Sequence, residues 1–208
     1  MPCPHGHAMA CPYVLSWSSM NIVLIGFRCT GKSTVGRMLA DRAGWEFVDA
    51  DDTLEKRAGK TVREIFEELG ESYFRKVESE LIEELSRLNG KVIATGGGAV
   101  LKRKNIQNLK RNGILVLLDA HPDVLFERVR RDPKSATLRP ALTHLNLAEE
   151  IKQQYELRRP YYQKAADVTI HTSERPVAQV TEDLERVLRG RGILPHPPGE
   201  ETGQGAAI

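Results

Sequence analysis

Residues 26–34 have the sequence GFRCTGKST, in which Gly26 is followed after four residues by Gly31, Lys32 and Ser33. Glycines with this spacing let the backbone curl so that successive N–H groups face phosphate oxygens, and a following helix adds the positive end of its dipole. The lysine can then reach the β- and γ-phosphates of a nucleotide, and the serine hydroxyl can ligate Mg²⁺. An apolar run, NIVLIG, precedes this segment and a helical pattern follows it. The segment therefore predicts a phosphate-binding P-loop rather than an accidental glycine turn.

A P-loop works mainly through its backbone, so the side chain of Cys29 need not take part in chemistry. The residues of the loop predicted to bind nucleotide are Gly26, Cys29, Thr30, Gly31, Lys32, Ser33 and Thr34. The chain has no NKxD motif to bind guanine, and its DxxG, residues 41–44, ends the first predicted helix, which argues against a GTPase. The strand ILVLLDA ends in Asp119 followed by alanine and not glutamate, which argues against a motor ATPase.

Two carboxylates, Asp49 and Asp51, close the second predicted strand, WEFVDAD. Residues two apart in an extended chain point to the same side, so both carboxylates are expected on one face at the end of a strand. Near a P-loop, this arrangement suits a water-coordinated Mg²⁺ and the orientation of an acceptor hydroxyl. Asp52 follows them and is predicted to cap the next helix.

Arg75 and Arg158 stand beside aromatic residues in apolar helical patterns, in YFRKVE and RRPYY. A guanidinium group buried in such a setting needs an anion, and a carboxylate bound by two hydrogen bonds is the natural partner. That carboxylate belongs either to a ligand or to one of the many glutamates of the chain. The run TGGG, with Gly96, Gly97 and Gly98, is too rich in glycine to continue a strand. It predicts either close approach of the backbone to a ligand or a plain tight turn.

Strand and helix patterns alternate from Met20 to about Arg189. Five strands alternating with helices predict an α/β fold, a five-stranded parallel sheet flanked by helices on both faces. Ligands of such sheets bind beyond the carboxyl ends of the strands, which is where the P-loop, the two aspartates and the glycine run fall. Residues 132–144, DPKSATLRPALTH, have no periodicity and are predicted to form a mobile loop.

The composition is that of a globular protein of 208 residues, 40% hydrophobic and 28% charged, with a formal net charge of +2. So small an excess gives little attraction to nucleic acid or an anionic membrane. We expect a disordered N-terminal extension at residues 1–19, a P-loop domain at 20–190 and a disordered tail at 191–208. The extension lacks the features of a signal peptide, and the odd number of cysteines indicates reduced thiols in the cytoplasm.

Six segments occur in an order that resembles the shikimate kinase family, over about residues 20–189: GFRCTGKST, DAD, EIFEELGESYFRKVE, VIATGGGAV, LRPAL and RRPYYQKAADVTI. The resemblance implies a three-layer P-loop fold like that of nucleoside monophosphate kinases, with a short lid. It implies ATP and Mg²⁺ as cofactors, and transfer of the γ-phosphate to the 3-hydroxyl of shikimate in aromatic amino-acid biosynthesis. We expect shikimate as the small-molecule partner, no nucleic acid or membrane partner, and a cytoplasmic monomer.

The resemblance also implies roles around the nucleotide. Lys32 and Ser33 would hold the ATP phosphates and Mg²⁺, and Asp49 would support the metal through water. Arg139 in LRPAL would move in with the lid to meet the phosphates of ATP. The residues implied near adenine are Arg131, with Arg130 as the less favoured alternative, and Arg175.

On the acceptor side, Asp51 would bind the ring hydroxyls and orient or deprotonate the hydroxyl that reacts. Arg75 and Arg158 would bind the substrate carboxylate. The residues whose backbone N–H groups would approach the ring are Gly96, Gly97 and Gly98. The catalytic residues implied by the resemblance are Lys32, Asp51 and Arg139.

Two other functions fit parts of the sequence. Another small-metabolite kinase, such as a gluconate-type one, would share the P-loop but would not need two arginines for a cyclic carboxylate beside a strand-end aspartate. A nucleotide-binding regulatory module would bind ATP or GTP without turning over shikimate. The lid segment departs from the family at Ala141, where leucine is common after RP, and its shortness argues against the longer lids of many nucleoside monophosphate kinases.

Overall fold

Five strands form a parallel sheet in the computed structural model, which describes residues 20–132 and 146–195. The strands are β1 (Asn21–Ile25), β2 (Glu46–Asp49), β3 (Lys91–Ala94), β4 (Gly113–Asp119) and β5 (Val168–His171). Their order across the sheet is β2-β3-β1-β4-β5, and every neighbouring pair is parallel. The α/β fold with a five-stranded parallel sheet that the sequence predicted is confirmed.

Seven helices and a short 3₁₀ turn, Ala99–Leu101, accompany these strands in the described parts of the chain. The helices are α1 (Lys32–Ala43), α2 (Ala50–Ala58), α3 (Val62–Leu85), α4 (Arg103–Arg111), α5 (Pro122–Arg131), α6 (Leu147–Ala165) and α7 (Val177–Gly190). Thr61 caps α3 through a reciprocal capping box with Glu64. None of the helices in residues 20–132 and 146–195 is long and apolar enough to cross a membrane.

Helix α3 is broken at Gly70, where φ is 80° and ψ is 166°. A side chain here is disfavoured by the positive φ and not by lack of space, because no atom lies within 4 Å of an added Cβ. The break separates residues 62–69 from the longer half of α3, which carries Arg75.

Side chains of β1 alternate between two hydrophobic cores, one on each face of the sheet. Ile22 and Leu24 pack into the core that includes α1 and α7. Val23 and Ile25 pack into the opposite core, which includes residues of α4, α5 and α6. Because helices cover both faces, every position of β1 is buried, and this explains why residues 22–25 are continuously apolar.

The folded domain extends past its predicted end at residue 190. The tail predicted at residues 191–208 includes Ile193 and Leu194. These two residues are 6% and 2% exposed and belong to the core beside α7. The chain turns back after α7, and the N–H of Ile193 donates to the carbonyl of Leu188 at 2.9 Å. The expected N-terminal extension, the tail beyond residue 195, and residues 133–145 with Arg139 and Ala141 lie outside the described residues.

Candidate active site

The carboxyl ends of β1, β2 and β3 bring the P-loop, the two aspartates and the glycine run to one cleft of about 620 Å³. Its walls include Lys32, Ser33, Asp49, Asp51 and Gly97. These residues come from three distant parts of the sequence, and the strand order β2-β3-β1 makes them neighbours. The structure therefore brings the P-loop residues predicted to bind the nucleotide to the same cleft as Asp51 and Gly97, which are predicted to bind the acceptor.

The P-loop curls tightly beside the end of β4. Gly26 has a φ of 142°, and a Cβ added there would meet the carbonyl oxygen of Leu118 at 2.3 Å, so only glycine fits. The hydroxyl of Thr30, which is buried, donates to the carbonyl of Phe27 at 2.9 Å and braces the turn. Helix α1 begins after Gly31 with no side-chain cap, so its first N–H groups suit an anion.

Two other loop residues predicted to bind nucleotide, Cys29 and Thr34, also line the cleft. Cys29 has a φ of 59°, in the left-handed region, and its thiol lies 3.7 Å from a carboxylate oxygen of Asp132. The backbone turn at Cys29 shapes the loop whatever the side chain does. This agrees with the expectation that the loop works through its backbone.

The ammonium group of Lys32 is held by two carbonyl groups of the loop itself. Its Nζ donates to the carbonyl oxygens of Gly26 at 3.0 Å and Phe27 at 2.8 Å. The positive charge therefore lies within the loop, where the phosphates of a nucleotide are expected. Charged phosphate oxygens are stronger acceptors than neutral carbonyls, so a bound nucleotide can draw the lysine to itself.

Ser33 and Asp49 form the pair that suits a divalent cation. The Ser33 hydroxyl donates to Oδ2 of Asp49 at 2.6 Å, so two oxygen ligands of the kind that Mg²⁺ prefers lie side by side. In the described parts of the chain, no group of three or more His, Cys, Asp or Glu side chains could hold a metal ion alone. The pair therefore fits a Mg²⁺ that takes most of its ligands from water and nucleotide phosphates, as is usual at such sites.

Asp49, and not Asp52, caps helix α2. Its Oδ1 accepts the N–H groups of Asp51 at 3.1 Å and Asp52 at 3.4 Å. The prediction that Asp52 is the cap is wrong, because the backbone leaves the extended conformation at Asp49 and Asp52 already lies in the first helical turn. Asp52 instead pairs with Arg37 at 3.2 Å across the rim of the cleft.

Asp51 lies against the glycine run after β3. A Cβ added to Gly96 would meet Oδ1 of Asp51 at 2.7 Å and Oε1 of Glu78 at 3.0 Å. Gly98 is equally restricted, because an added Cβ would meet the guanidinium group of Arg75. Gly96 and Gly98 thus lie where the backbone meets these side chains. The tight turn is present as well, because the N–H of Ala99 donates to the carbonyl of Gly96 at 3.1 Å.

Arg75 is bound by carboxylates of its own helix. Its Nη1 donates to Glu78 at 2.8 Å and its Nε to Glu71 at 3.2 Å. Burial by itself lowers the pKa of Arg75, but the charge of Glu78 and hydrogen bonds to both carboxylates more than offset it, so the pKa is raised. The glutamate partner that the sequence left open is therefore present. Glu78 is only 4% exposed, and it holds the guanidinium group at the glycine run.

Arg158 occupies a different place from Arg75. Its guanidinium carbon lies 5.8 Å from the ring centroid of Phe27, at the start of the P-loop. Among residues 20–132 and 146–195, no carboxylate forms an ion pair with it. A half-buried cation without a carboxylate in the described chain suits an anionic ligand better than Arg75 does.

A second, smaller cavity of about 400 Å³ lies between α5 and the start of α7. Arg131 and Arg175, both predicted near adenine, line it together. Arg130 is exposed and pairs with Glu127 at 3.3 Å, and it is absent from the lining. Arg175 forms a close ion pair with Asp183, and this hydrogen bond lowers the pKa of the Asp183 carboxyl.

Comparison with known proteins gives the family. A sequence model of the shikimate kinase family matches residues 28–189. The shikimate kinase of Caldanaerobacter subterraneus subsp. tengcongensis is 42% identical over 174 residues, which are 82% of this chain and 99% of that protein. The chain belongs to the shikimate kinase family. The shikimate kinase of Thiobacillus denitrificans is likewise 42% identical over 171 residues, 82% of this chain and 89% of that protein.

Solved shikimate kinases share the fold. The enzyme of Acinetobacter baumannii, solved in complex with shikimate, superposes with a TM-score of 0.78 at 33% identity, over 84% of this chain and 95% of its own. The enzyme of Aquifex aeolicus gives a TM-score of 0.70 at 38% identity, over 83% of this chain and 98% of its own. The five-stranded sheet and its helices are thus those of a shikimate kinase.

Three residues of this shikimate kinase site were missed from the sequence. Glu78 lies three residues after Arg75, a spacing that places the two on one helix face. Arg28 lines the cleft and pairs with Glu150 of α6 at 3.7 Å; its position inside the P-loop was the only signal. Arg128 lines the second cavity and donates to the carbonyl of Cys29 at 3.3 Å. It lies three residues before Arg131 on α5, and this spacing, which places both on one helix face, was the available signal.

Proposed function

We propose that this chain transfers the γ-phosphate of ATP to the 3-hydroxyl of shikimate, giving ADP and shikimate 3-phosphate. The observation that carries the proposal is the meeting of Lys32, Asp51 and the glycine run in one cleft, with Arg75 packed against that run. A phosphate-binding loop and a carboxylate that can accept the proton of an alcohol thus lie close to a cation that can bind a carboxylate. Family membership, and a relative solved with shikimate bound, support shikimate as that acceptor.

On the donor side, the P-loop amides and Lys32 bind the phosphates of ATP. Ser33 and Asp49 are the residues that would hold Mg²⁺, and the ion would neutralise charge on the phosphates of the nucleotide. Asp49 is fixed for this task, because its second oxygen accepts two backbone N–H groups of α2. Arg131 and Arg175 line the cavity proposed for adenine.

On the acceptor side, Asp51 binds the ring hydroxyls and accepts or orients the proton of the 3-hydroxyl. Arg75 and Arg158 bind the carboxylate, at the far side of the ring from the reacting oxygen. The N–H groups of the Gly96–Gly98 segment approach the ring. Phosphoryl transfer needs in-line placement and charge stabilisation more than covalent participation by the protein, and this arrangement supplies both.

Arg139 lies outside the described residues, and its role stays a proposal. We propose that it meets the transferring phosphoryl group and stabilises the charge that develops there. The same proposal takes Mg²⁺–ATP as the donor and the protein as a cytoplasmic monomer. A formal net charge of +2 gives no reason to add a nucleic acid or membrane partner.

The test is ADP release in a coupled assay with shikimate, with gluconate and without acceptor. We expect release that depends on shikimate, and a loss of at least about a hundredfold in Lys32→Met, since a charge that stabilises the transition state is removed. Lys104→Met, at an exposed position on α4, is the matched control and should keep full activity. ADP release with gluconate alone would indicate the other metabolite kinase. Nucleotide binding with no acceptor-dependent turnover would indicate a regulatory module.

A further inference from the structure

Two buried tyrosines of α6 donate hydrogen bonds to the carboxyl edge of the sheet. The hydroxyl of Tyr155 donates to Oδ1 of Asp119 at 2.9 Å, and the hydroxyl of Tyr162 donates to the carbonyl oxygen of Gly97 at 2.5 Å. The two side chains are similarly buried, at 5% and 2% exposure. Arg158 lies between them at helical spacings of three and four, so all three share one face of α6. Only Tyr162 reaches the glycine run of the acceptor site.

The bond to Gly97 fixes more than one carbonyl group. In a trans peptide, the C=O of one residue and the N–H of the next point in opposite directions in one rigid plane. Holding the Gly97 carbonyl therefore directs the Gly98 N–H away from the Tyr162 hydroxyl. Within the described parts of the chain, the N–H groups of Gly96, Gly97 and Gly98 donate to no other group. These amides are available to a ligand, and their direction matters for its binding.

The backbone fixes the carbonyls on either side of this peptide but not its own. The carbonyls of Gly96 and Gly98 accept the N–H groups of Ala99 at 3.1 Å and Leu101 at 3.0 Å, whereas no backbone N–H in the described parts of the chain donates to the Gly97 carbonyl. Three successive glycines have a wider choice of backbone conformations than any other residues. Space is also available at the middle one, because the nearest atoms to a Cβ added at Gly97 are the Arg28 nitrogen at 3.5 Å and the Gly26 carbonyl oxygen at 3.7 Å. The Tyr162 hydroxyl, on a side chain locked in the core, supplies the restraint that the segment lacks.

We propose that Tyr162 is a positioning residue for the acceptor, holding the Gly97–Gly98 peptide so that its N–H faces the substrate. The inference rests on the proposed function. It also explains why α6 carries both Tyr162 and Arg158 on one face. The helix sets the arginine and the glycine amides relative to each other, so the two groups that meet the acceptor do not move independently.

The test compares Tyr162→Phe with Tyr155→Phe, the same loss of one buried hydroxyl on the same helix. Each variant is measured for the shikimate KM, for binding of shikimate without nucleotide and of ATP without shikimate by calorimetry, and for Tm. We expect the shikimate KM and Kd of Tyr162→Phe to rise at least about fivefold, which corresponds to the loss of one good hydrogen bond. Its ATP affinity should stay within about twofold of wild type.

Each variant loses one buried hydrogen bond, so we expect Tyr155→Phe and Tyr162→Phe to lower Tm by similar amounts. Tyr155→Phe should leave the affinities for shikimate and for ATP within about twofold of wild type. The proposal is overturned if Tyr162→Phe only lowers Tm, or if its shikimate and ATP affinities fall by the same factor. It is also overturned if both variants weaken shikimate binding equally, since the effect then belongs to helix packing. All values are ratios to the wild-type enzyme. Absence of shikimate turnover in the wild type would therefore reject the proposed function and be recognised before any variant is compared.

Discussion

The guanidinium group of Arg75 lies against the backbone of Gly98, so closely that a Cβ added to the glycine would meet Nη1 at 2.3 Å. The three nearest atoms to that added carbon all belong to the same guanidinium group. A methyl group at residue 98 would therefore displace the flexible end of an arginine and leave the backbone in place. The absence of a side chain at Gly98 is thus part of how Arg75 is placed.

Gly98→Ala should weaken shikimate binding by at least about tenfold, since it moves a cation away from the substrate carboxylate. ATP binding measured without shikimate should stay near wild type, because the P-loop is untouched. Calorimetric titration of Gly98→Ala, Arg75→Ala and the double variant decides. The double variant should bind shikimate no more weakly than Arg75→Ala, because the methyl group then has nothing to displace. If the losses of shikimate-binding free energy in the two single variants add up in the double variant, then Gly98→Ala does not act by displacing Arg75.

Arg158→Ala and Arg75→Ala should both weaken shikimate binding, by on the order of 2–5 kcal/mol if the substrate carboxylate is desolvated. They should differ in stability. Arg75→Ala leaves the buried Glu78 carboxylate without its ion-pair partner and should lower Tm, whereas Arg158→Ala breaks no ion pair among the described residues. Calorimetry and thermal unfolding of the two variants test this. Shikimate binding at wild-type strength in both would favour another small-metabolite acceptor.

Arg139→Ala is the counterpart on the phosphate side. It should reduce turnover strongly and shikimate binding only modestly, because its charge is needed during transfer. Steady-state kinetics beside the same titrations separate the two effects. A shikimate affinity that falls as far as in Arg158→Ala would place Arg139 at the acceptor and not at the phosphates.

Asp51→Asn should lower turnover by at least about tenfold, since the amide keeps the shape but cannot accept the hydroxyl proton. The kcat with saturating shikimate and ATP is the quantity to measure. A change confined to ATP affinity would move Asp51 from the acceptor to the metal site.

Much of the fold could be predicted because buried parallel strands have an easily recognised sequence pattern. The continuous apolar runs of β1 and β4 are needed only where helices cover both faces of a sheet. The cap of α2 could not be predicted in the same way, because Asp49, Asp51 and Asp52 all have the side chain of a cap. Only the backbone shows which of them precedes the first turn.

The candidate site shows the same division. The P-loop and the glycine run were predictable because the close approach of a backbone to another group requires glycine at fixed places. The partners of Arg75 were not, because a ligand carboxylate and the glutamates at helical spacing, Glu71 and Glu78, were all possible. The structure pairs Arg75 with both glutamates, and of these Glu78 is buried. The packing of Ile193 and Leu194 against the core after α7 was not predicted, because the glycines and prolines around them are typical of a disordered tail.

Asn108→Leu should raise the free energy of unfolding by about 1–3 kcal/mol, the cost of burying an amide without partners. Asn108 is 1% exposed, and neither Oδ1 nor Nδ2 has a hydrogen-bond partner among the described residues. Asn105→Leu is the matched control on the same helix. The Oδ1 of Asn105 also has no partner among the described residues, but its Nδ2 donates to the carbonyl oxygen of Ala99 at 2.9 Å. Loss of that hydrogen bond should make Asn105→Leu destabilising. Denaturant unfolding of both variants measures these changes. Equal changes in the free energy of unfolding would contradict the difference in hydrogen bonding between Asn108 and Asn105.

The stability contributed by Tyr155 should fade at alkaline pH. Burial first, and then the hydrogen bond to Asp119, raise the pKa of the Tyr155 hydroxyl above its ordinary value of about 10. The contribution is complete below that value and declines above it, since the unfolded chain then loses the proton that the folded protein keeps. The difference in Tm between wild type and Tyr155→Phe should therefore narrow from pH 8 to about pH 10.5. A constant or widening difference would contradict the raised pKa.

The strand order has a consequence for how the protein acquires its activity during folding. In β1, Val23 pairs with Ile93 on one side and with Leu115 on the other, so the central strand joins parts of the chain made long after it. Pairings between distant segments form slowly, and until they form the P-loop has neither the aspartates nor the glycine run beside it. Ligands that require the finished cleft stabilise the native state alone. Shikimate and ATP should therefore slow unfolding and leave the refolding rate unchanged.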